Sequence, residues 1–331
     1  MSDNAEERAA LAELDAVVEA ARGITQPGLV AAPARPAAHP ARQRLLVLGA
    51  LTITMLLWSS AFTGIRYALR GYQPGSLALL RLGVMSLAML AVSTASQGWA
   101  TWRFTVREWL GLAGLGITSM TLYQLALMTG EQSVDAGTAS LIINTSPIFT
   151  ALLALWLLRE HLGVRGWVGV LLGFAGAALL VSGDGGAHLQ MGALFVLAAS
   201  LSQSVSFIIQ KPLLERLGPL RVTTWMGVFG ALCVLPYSAQ LVADFRHAAP
   251  AATLTGIALG LLPTAVGNLT WSYALKHLPA GRASTALYFS APIAMLVSWL
   301  FLGERPGLMA MLGGGVVIAS VVLVNLHTRD R

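Results

Sequence analysis

Ala136-Gly137-Thr138-Ala139-Ser140 returns 144 residues later as Ala280-Gly281-Arg282-Ala283-Ser284, and Glu160 returns as Glu304 at the same separation. Gln124 and Asn268 are also 144 apart, Pro147 and Pro292 are 145 apart, and Arg66 with Pro74 matches Lys211 with Pro219 at a shift of 145. One offset kept by residues as unlike as Gln, Glu and Pro marks an internal duplication.

Each copy consists of apolar runs. The 331-residue chain is 56% hydrophobic and only 11% charged, with a mean hydropathy of +0.69. A water-facing surface needs about 25% charged residues, so lipid is the solvent for most of this chain. Runs of roughly 20 apolar residues, the length a helix needs to cross hydrocarbon, fall at 45–69, 75–96, 107–130, 135–158, 164–182, 189–211, 219–242, 252–276, 280–302 and 306–327. They do not alternate as barrel strands would. Five runs per copy is an odd number, so the second copy enters the membrane from the opposite side. The expected fold is an all-α integral membrane protein of ten transmembrane helices, arranged as two inverted five-helix repeats around a central cavity. That is the architecture in which a solute binds near the midplane and access alternates. The expected divisions are a cytoplasmic N-terminal tail at 1–44, a first repeat at 45–183 and a second at 188–327.

The net charge of +6 is no nucleic-acid patch, because its distribution follows the membrane. With the N-terminus inside, thirteen Lys and Arg lie in inner loops and ends, against four outside, Arg66, Arg70, Arg246 and Arg305. This is the positive-inside bias. It places a multi-pass protein in a bacterial-type inner membrane with both termini cytoplasmic. The lone Cys233 forms no internal disulfide and serves packing.

No cluster of Cys, His and carboxylates suits a metal, and there is no phosphate cradle or nucleophile motif, so neither a metal nor a cofactor is expected. Asp184 with His188 and Asp244 with His247 are the pairs a membrane-embedded enzyme could use. The carboxylates outside the tail, Glu131 and Glu304 among them, lie in loops or at helix ends. Proton coupling needs a titratable group reachable from both sides, so the sequence predicts uncoupled transport. Arg81, the one plausible intramembrane cation, is read as snorkelling or structurally paired near its helix end, with a substrate clamp as the alternative.

The polar residues left inside the runs are uncharged and share helical faces at i, i+3, i+4 and i+7. Gln203, Ser206, Phe207 and Gln210 form one such face, and Asn268 and Trp271 another. Ser119 lies with Tyr123 and adjacent Gln124, Asn144 with Ser140, Tyr288 with Ser284, and Trp58 with Phe62. Amides cannot face lipid unpaired, so these faces point inward. They act either as interhelical hydrogen-bonding glue or as the substrate-binding lining of a cavity. Taken together, Trp58, Phe62, Ser119, Tyr123, Gln124, Asn144, Gln203, Ser206, Phe207, Gln210, Asn268, Trp271 and Tyr288 make the lining the better account. Pro147 and Pro292 are expected to kink their helices at mid-length and act as gating hinges. Gly166, Gly169, Gly173 and Gly176, with Gly313 to Gly315, are expected to let two helices approach closely.

Trp58-Ser59-Ser60-Ala61-Phe62, Leu80-Arg81-Leu82, and the segment from Ser146-Pro147-Ile148-Phe149-Thr150 to Glu160 resemble a module of the drug/metabolite transporter superfamily. A second copy runs from Ala291-Pro292-Ile293 to Leu302-Gly303-Glu304. The resemblance covers about residues 45–327 and implies the ten-helix EamA-type fold, whose members are mostly metabolite exporters. Within it, the chain looks most like the aromatic amino-acid exporter branch. The resemblance thus implies export of small metabolites, foremost neutral and aromatic amino acids, by a protein that is no enzyme and for which a monomer is favoured. A multidrug or hydrophobic-cation exporter and a membrane-embedded enzyme are the alternatives. The expected partners are a small-molecule substrate and the lipid bilayer.

Overall fold

The computed structural model describes residues 40–98, 102–158, 164–181, 186–278, 283, 285–304 and 307–327. Among these there are no strands. The first half holds α1 (Pro40–Ala68), α2 (Pro74–Gln97), α3 (Val106–Gly130), α4 (Ala136–Ile143), α5 (Ser146–Leu158) and α6 (Val164–Val181). The second holds α7 (Gly186–Leu217), α8 (Pro219–Cys233), α9 (Ser238–His247), α10 (Pro250–His277), α11 (Ser290–Leu302) and α12 (Leu308–His327).

Local chemistry sets the ends. Pro74, Pro219 and Pro250 each start a helix, where a missing N–H costs nothing and the fixed φ is already helical. Thr105 and Glu108 form a reciprocal capping box on α3, and the Asp135 carboxylate accepts from the Thr138 amide at 2.8 Å to begin α4. Gly303 ends α11 at φ +69°, a left-handed conformation that glycine adopts at no steric cost.

Five described helices are long and apolar enough to cross a membrane, six if α8 and its continuation, bent by 55°, are one span. The bend falls at Pro236, within Leu235–Tyr237, where the ring removes a backbone donor. The run expected as one helix over 135–158 is divided at Asn144 and Thr145 into α4 and α5. Its counterpart opens with a 3-10 turn, Thr285–Phe289, before α11. These breaks correct the expectation for Pro147 and Pro292. Both lie in the first turn of the following helix, where no intrahelical bond is lost, so neither kinks a helix at mid-length.

The duplication is physical. A π-helical stretch runs from Gly116 to Leu122 in α3 and another from Gly260 to Gly267 in α10, with starts 144 apart. Packing is exchanged between halves: α1 lies against α10 and α11, while α7 lies against α3, α4 and α5. Equivalent helices pair with each other, α2 with α8 and α6 with α12. A Cβ on Gly116 would stand 3.0 Å from the Met226 carbonyl oxygen, and one on Gly260 would stand 2.8 Å from that of Arg81. Lys211 Nζ donates to the Leu275 carbonyl at 2.8 Å, as Arg66 Nη1 donates to the Glu131 carbonyl. The expected close glycine contact is present where Gly176 meets the Gly313 backbone, a Cβ there falling 2.8 Å from its oxygen.

Candidate solute cavity

A cavity lies between the halves, walled by α1, α2, α3, α7 and α10, the α4–α5 break and the start of α11. Nine of the residues singled out in the sequence line it: Trp58, Phe62, Ser119, Tyr123, Gln124, Asn144, Gln203, Phe207 and Asn268. Three more stand behind the wall. Ser206 donates to the Gln203 carbonyl at 2.7 Å, Gln210 donates to Ser272 Oγ at 2.9 Å, and Trp271 is 1% exposed. Gln210 is thus the interhelical glue that the alternative account of polar faces describes, whereas Ser206 bonds back to its own helix. The Tyr288 side chain, like Ser284 and Glu160, lies outside the described residues.

Trp271 braces the aromatic wall. Its ring centroid is 5.3 Å from that of Trp58 and 5.0 Å from that of Phe207, both tilted, separations at which aromatic pairs attract beyond their area burial. Trp58 is fixed a second time because its Nε1 donates to the Pro263 carbonyl at 3.1 Å. Amides share the cavity wall with the Trp58 and Phe207 rings. Asn268 Nδ2 donates to the Thr264 carbonyl at 2.8 Å, and Asn144 Oδ1 accepts from Ser290 Oγ at 3.3 Å while its Nδ2 has no partner.

Arg81 is not where the preferred sequence reading put it. It lies inside α2, is 5% exposed, and lines the cavity, so it neither snorkels nor sits at a helix end. Its Nη2 donates to Thr264 Oγ1 at 3.1 Å, while Nε and Nη1 have no hydrogen-bond partner. Pro263 explains why Thr264 is placed to receive it. Proline cannot donate to the Leu259 carbonyl one turn back, and the Thr264 hydroxyl takes that carbonyl at 2.7 Å. The hydroxyl oxygen is left to accept from Arg81.

Glu131, one residue beyond the span of α3, is fully buried, and both carboxyl oxygens lack a partner. Burial pushes its carboxyl well above the ordinary carboxylate range, and the nearby Arg81 and Arg66 guanidiniums pull it back. A helix end is therefore not outside the protein here, which corrects the assumption that every carboxylate at such an end is remote from the site. Glu304 anchors the loop after α11, pairing with Arg66 at 3.0 Å.

A polar, aromatic cavity between two packed halves of one design suits a small solute. Matching the chain to known families agrees: the model described as "EamA-like transporter family" covers residues 45–182 and again 190–326. The chain belongs to the EamA-like transporter family. This EamA-like protein is 38% identical, over 85% of its length and 94% of the relative's, to a protein of Streptantibioticus cattleyicolor named "Probable terminal-alkyne amino-acid exporter". It is 34% identical to the "Uncharacterized transporter YdfC" of Bacillus subtilis, over 82% of this chain and 88% of the relative. A solved structure described only as "Crystal structure of protein" shares the fold at a TM-score of 0.58 and 17% identity, covering 88% of this chain and 99% of that one. The EamA-like chain is a multi-pass membrane transporter of small molecules and not an enzyme.

Proposed function

We propose that this transporter exports small metabolites, foremost neutral and aromatic amino acids with broad specificity, by alternating access at the cavity between its halves. The observation that carries this is the composition of the cavity wall: the rings of Trp58 and Phe207, each tilted against Trp271, together with the amides of Gln124, Asn144, Gln203 and Asn268. Such a wall takes an uncharged or zwitterionic amphipathic solute. The relative named as an amino-acid exporter supports the same class. The exchanged packing of α1 and α7 supports ten spans in two inverted repeats, at 45–183 and 188–327, with the preceding tail and both ends in the cytoplasm of a bacterial-type inner membrane. The breaks beside Pro147 and Pro292 are the proposed hinges, and a monomer is the proposed working unit.

Transport is proposed to be uncoupled from protons. Among the described residues no Asp, Glu or His lines the cavity, and the buried Glu131 is not part of the wall. The positive charge of Arg81 in that wall disfavours the alternative of a hydrophobic-cation exporter, because a bound cation would be repelled in a low dielectric. Competition of unlabelled amino acids, amines and hydrophobic cations against labelled L-phenylalanine in proteoliposomes tests the assignment. Inhibition by neutral and aromatic amino acids supports it, and inhibition by cations alone refutes it.

A further inference from the structure

The two halves differ at two positions where the same fold needs no charge. The position equivalent to Arg81, at the shift of 145 kept by Pro74 and Pro219, is Met226. The equivalence is structural as well, since the carbonyls of Arg81 and Met226 meet the equivalent glycines Gly260 and Gly116. At the shift of 144, Glu131 corresponds to Leu275, and the carbonyls of both are capped by the matching bases Arg66 and Lys211. Met226 and Leu275 are buried, at 0% and 1% exposure.

One half therefore closes these positions with apolar side chains, while the other places an arginine and a glutamate there. Replacing buried charges by apolar groups of similar size is often neutral or stabilising, so packing does not account for Arg81. Among the described residues it is the one cation lining the cavity, and two of its nitrogens, Nε and Nη1, are unpartnered. Both bidentate edges of a guanidinium include Nη2, which carries two hydrogens; Thr264 takes one of them, so the edge that Nη2 forms with Nε or with Nη1 keeps two donors that match a carboxylate.

We propose that Arg81 is a carboxylate-binding subsite of the cavity, held by Thr264, which takes the carboxylate of a zwitterionic or anionic organic solute. This deepens the amino-acid assignment and rests on it: the carboxylate is fixed by Arg81, and the side chain of the solute is left to the rings of Trp58 and Phe207. It also makes the cavity functionally one-sided, since Met226 offers no second anchor.

The test is ligand binding by the purified full-length protein, read by intrinsic fluorescence, with Trp58 and Trp271 at the cavity as reporters. The probes are L-phenylalanine and 3-phenylpropionate, which carry the carboxylate, and L-phenylalaninamide and phenethylamine, which lack it. The unsubstituted protein is expected to bind the carboxylates tighter by roughly tenfold or more, the size of a charge-assisted hydrogen bond. Arg81→Gln is expected to erase that preference, and Arg81→Lys to keep part of it. The double variant Arg81→Met/Glu131→Leu, which writes the second half into the first, is expected to fold and to show no preference. Equal binding of acid and amide by the unsubstituted protein, or a preference surviving in Arg81→Gln, overturns the subsite. Arg81-dependent carboxylate binding in a protein that exchanges no amino acid in proteoliposomes upholds the subsite and refutes the amino-acid assignment. Amino-acid exchange that Arg81→Gln leaves unaltered does the reverse.

Discussion

Arg66 Nε donates to Glu304 Oε1 across 3.0 Å, tying the end of α1 in the first half to the loop after α11 in the second. The other oxygen of Glu304 accepts from the Ala136 amide at 3.2 Å and from Ser298 Oγ at 3.0 Å. One carboxylate thus clamps α1, the start of α4 and the end of α11. The two side chains are 27% and 21% exposed, which reduces the electrostatic part of their pairing. Glu304→Gln is expected to lower stability by about 1–2 kcal/mol, the scale of hydrogen bonds to a charged group. Arg66→Gln should cost a similar amount, and the double variant less than the sum. Thermal unfolding in detergent, analysed as a double-mutant cycle, checks this, and additive costs would show that the pair is not coupled.

The inverted arrangement makes a topological prediction at equivalent loops. Gln97, at the end of α2, and Ala249, before α10, are both exposed. Single cysteines placed there in a Cys233→Ala background should label from opposite sides, Gln97 from the cytoplasm and Ala249 from outside. Labelling of both from one side would mean that the halves run parallel.

Uncoupled transport predicts that proteoliposomes with equal substrate on both sides exchange label under an imposed pH gradient without net accumulation. The buried Glu131 is the residue on which the opposite result would turn. Accumulation that tracks the gradient and disappears in Glu131→Gln would make this buried carboxyl the coupling group.

The membrane class, the duplication and most of the cavity were legible in the sequence, because both lipid burial and helical faces leave local patterns. Trp58, Gln203 and Asn268 could be found from the rule that amides and ring N–H groups avoid lipid. The breaks at Asn144 and before Ser290 were not legible, since a proline in a first turn and one at mid-helix look alike in an apolar run. Arg81 was misplaced because its role depends on what α10 presents to it, and Thr264 faces it only through the carbonyl that Pro263 frees. The offset of 144 carried the remaining signal: comparing Arg81 with Met226 and Glu131 with Leu275 marks both as departures from the repeat. Trp271 shows the opposite error, a predicted lining residue that proves to be the brace behind the rings that do line the cavity.

The central claim is that amino acids pass through the cavity between the halves, and counterflow in proteoliposomes tests it most directly. Vesicles loaded with unlabelled L-phenylalanine should transiently concentrate labelled L-phenylalanine, and those loaded with other neutral or aromatic amino acids should do the same. Gln203→Ala and Asn268→Ala, each of which removes one amide from the wall, should cut the initial rate by roughly tenfold or change which amino acids drive it, at the cost of one lost polar contact to the solute. Both variants should keep the unfolding temperature of the parent within a few degrees. Counterflow with none of the amino acids, or full rates and unchanged selectivity in both variants, would contradict the account.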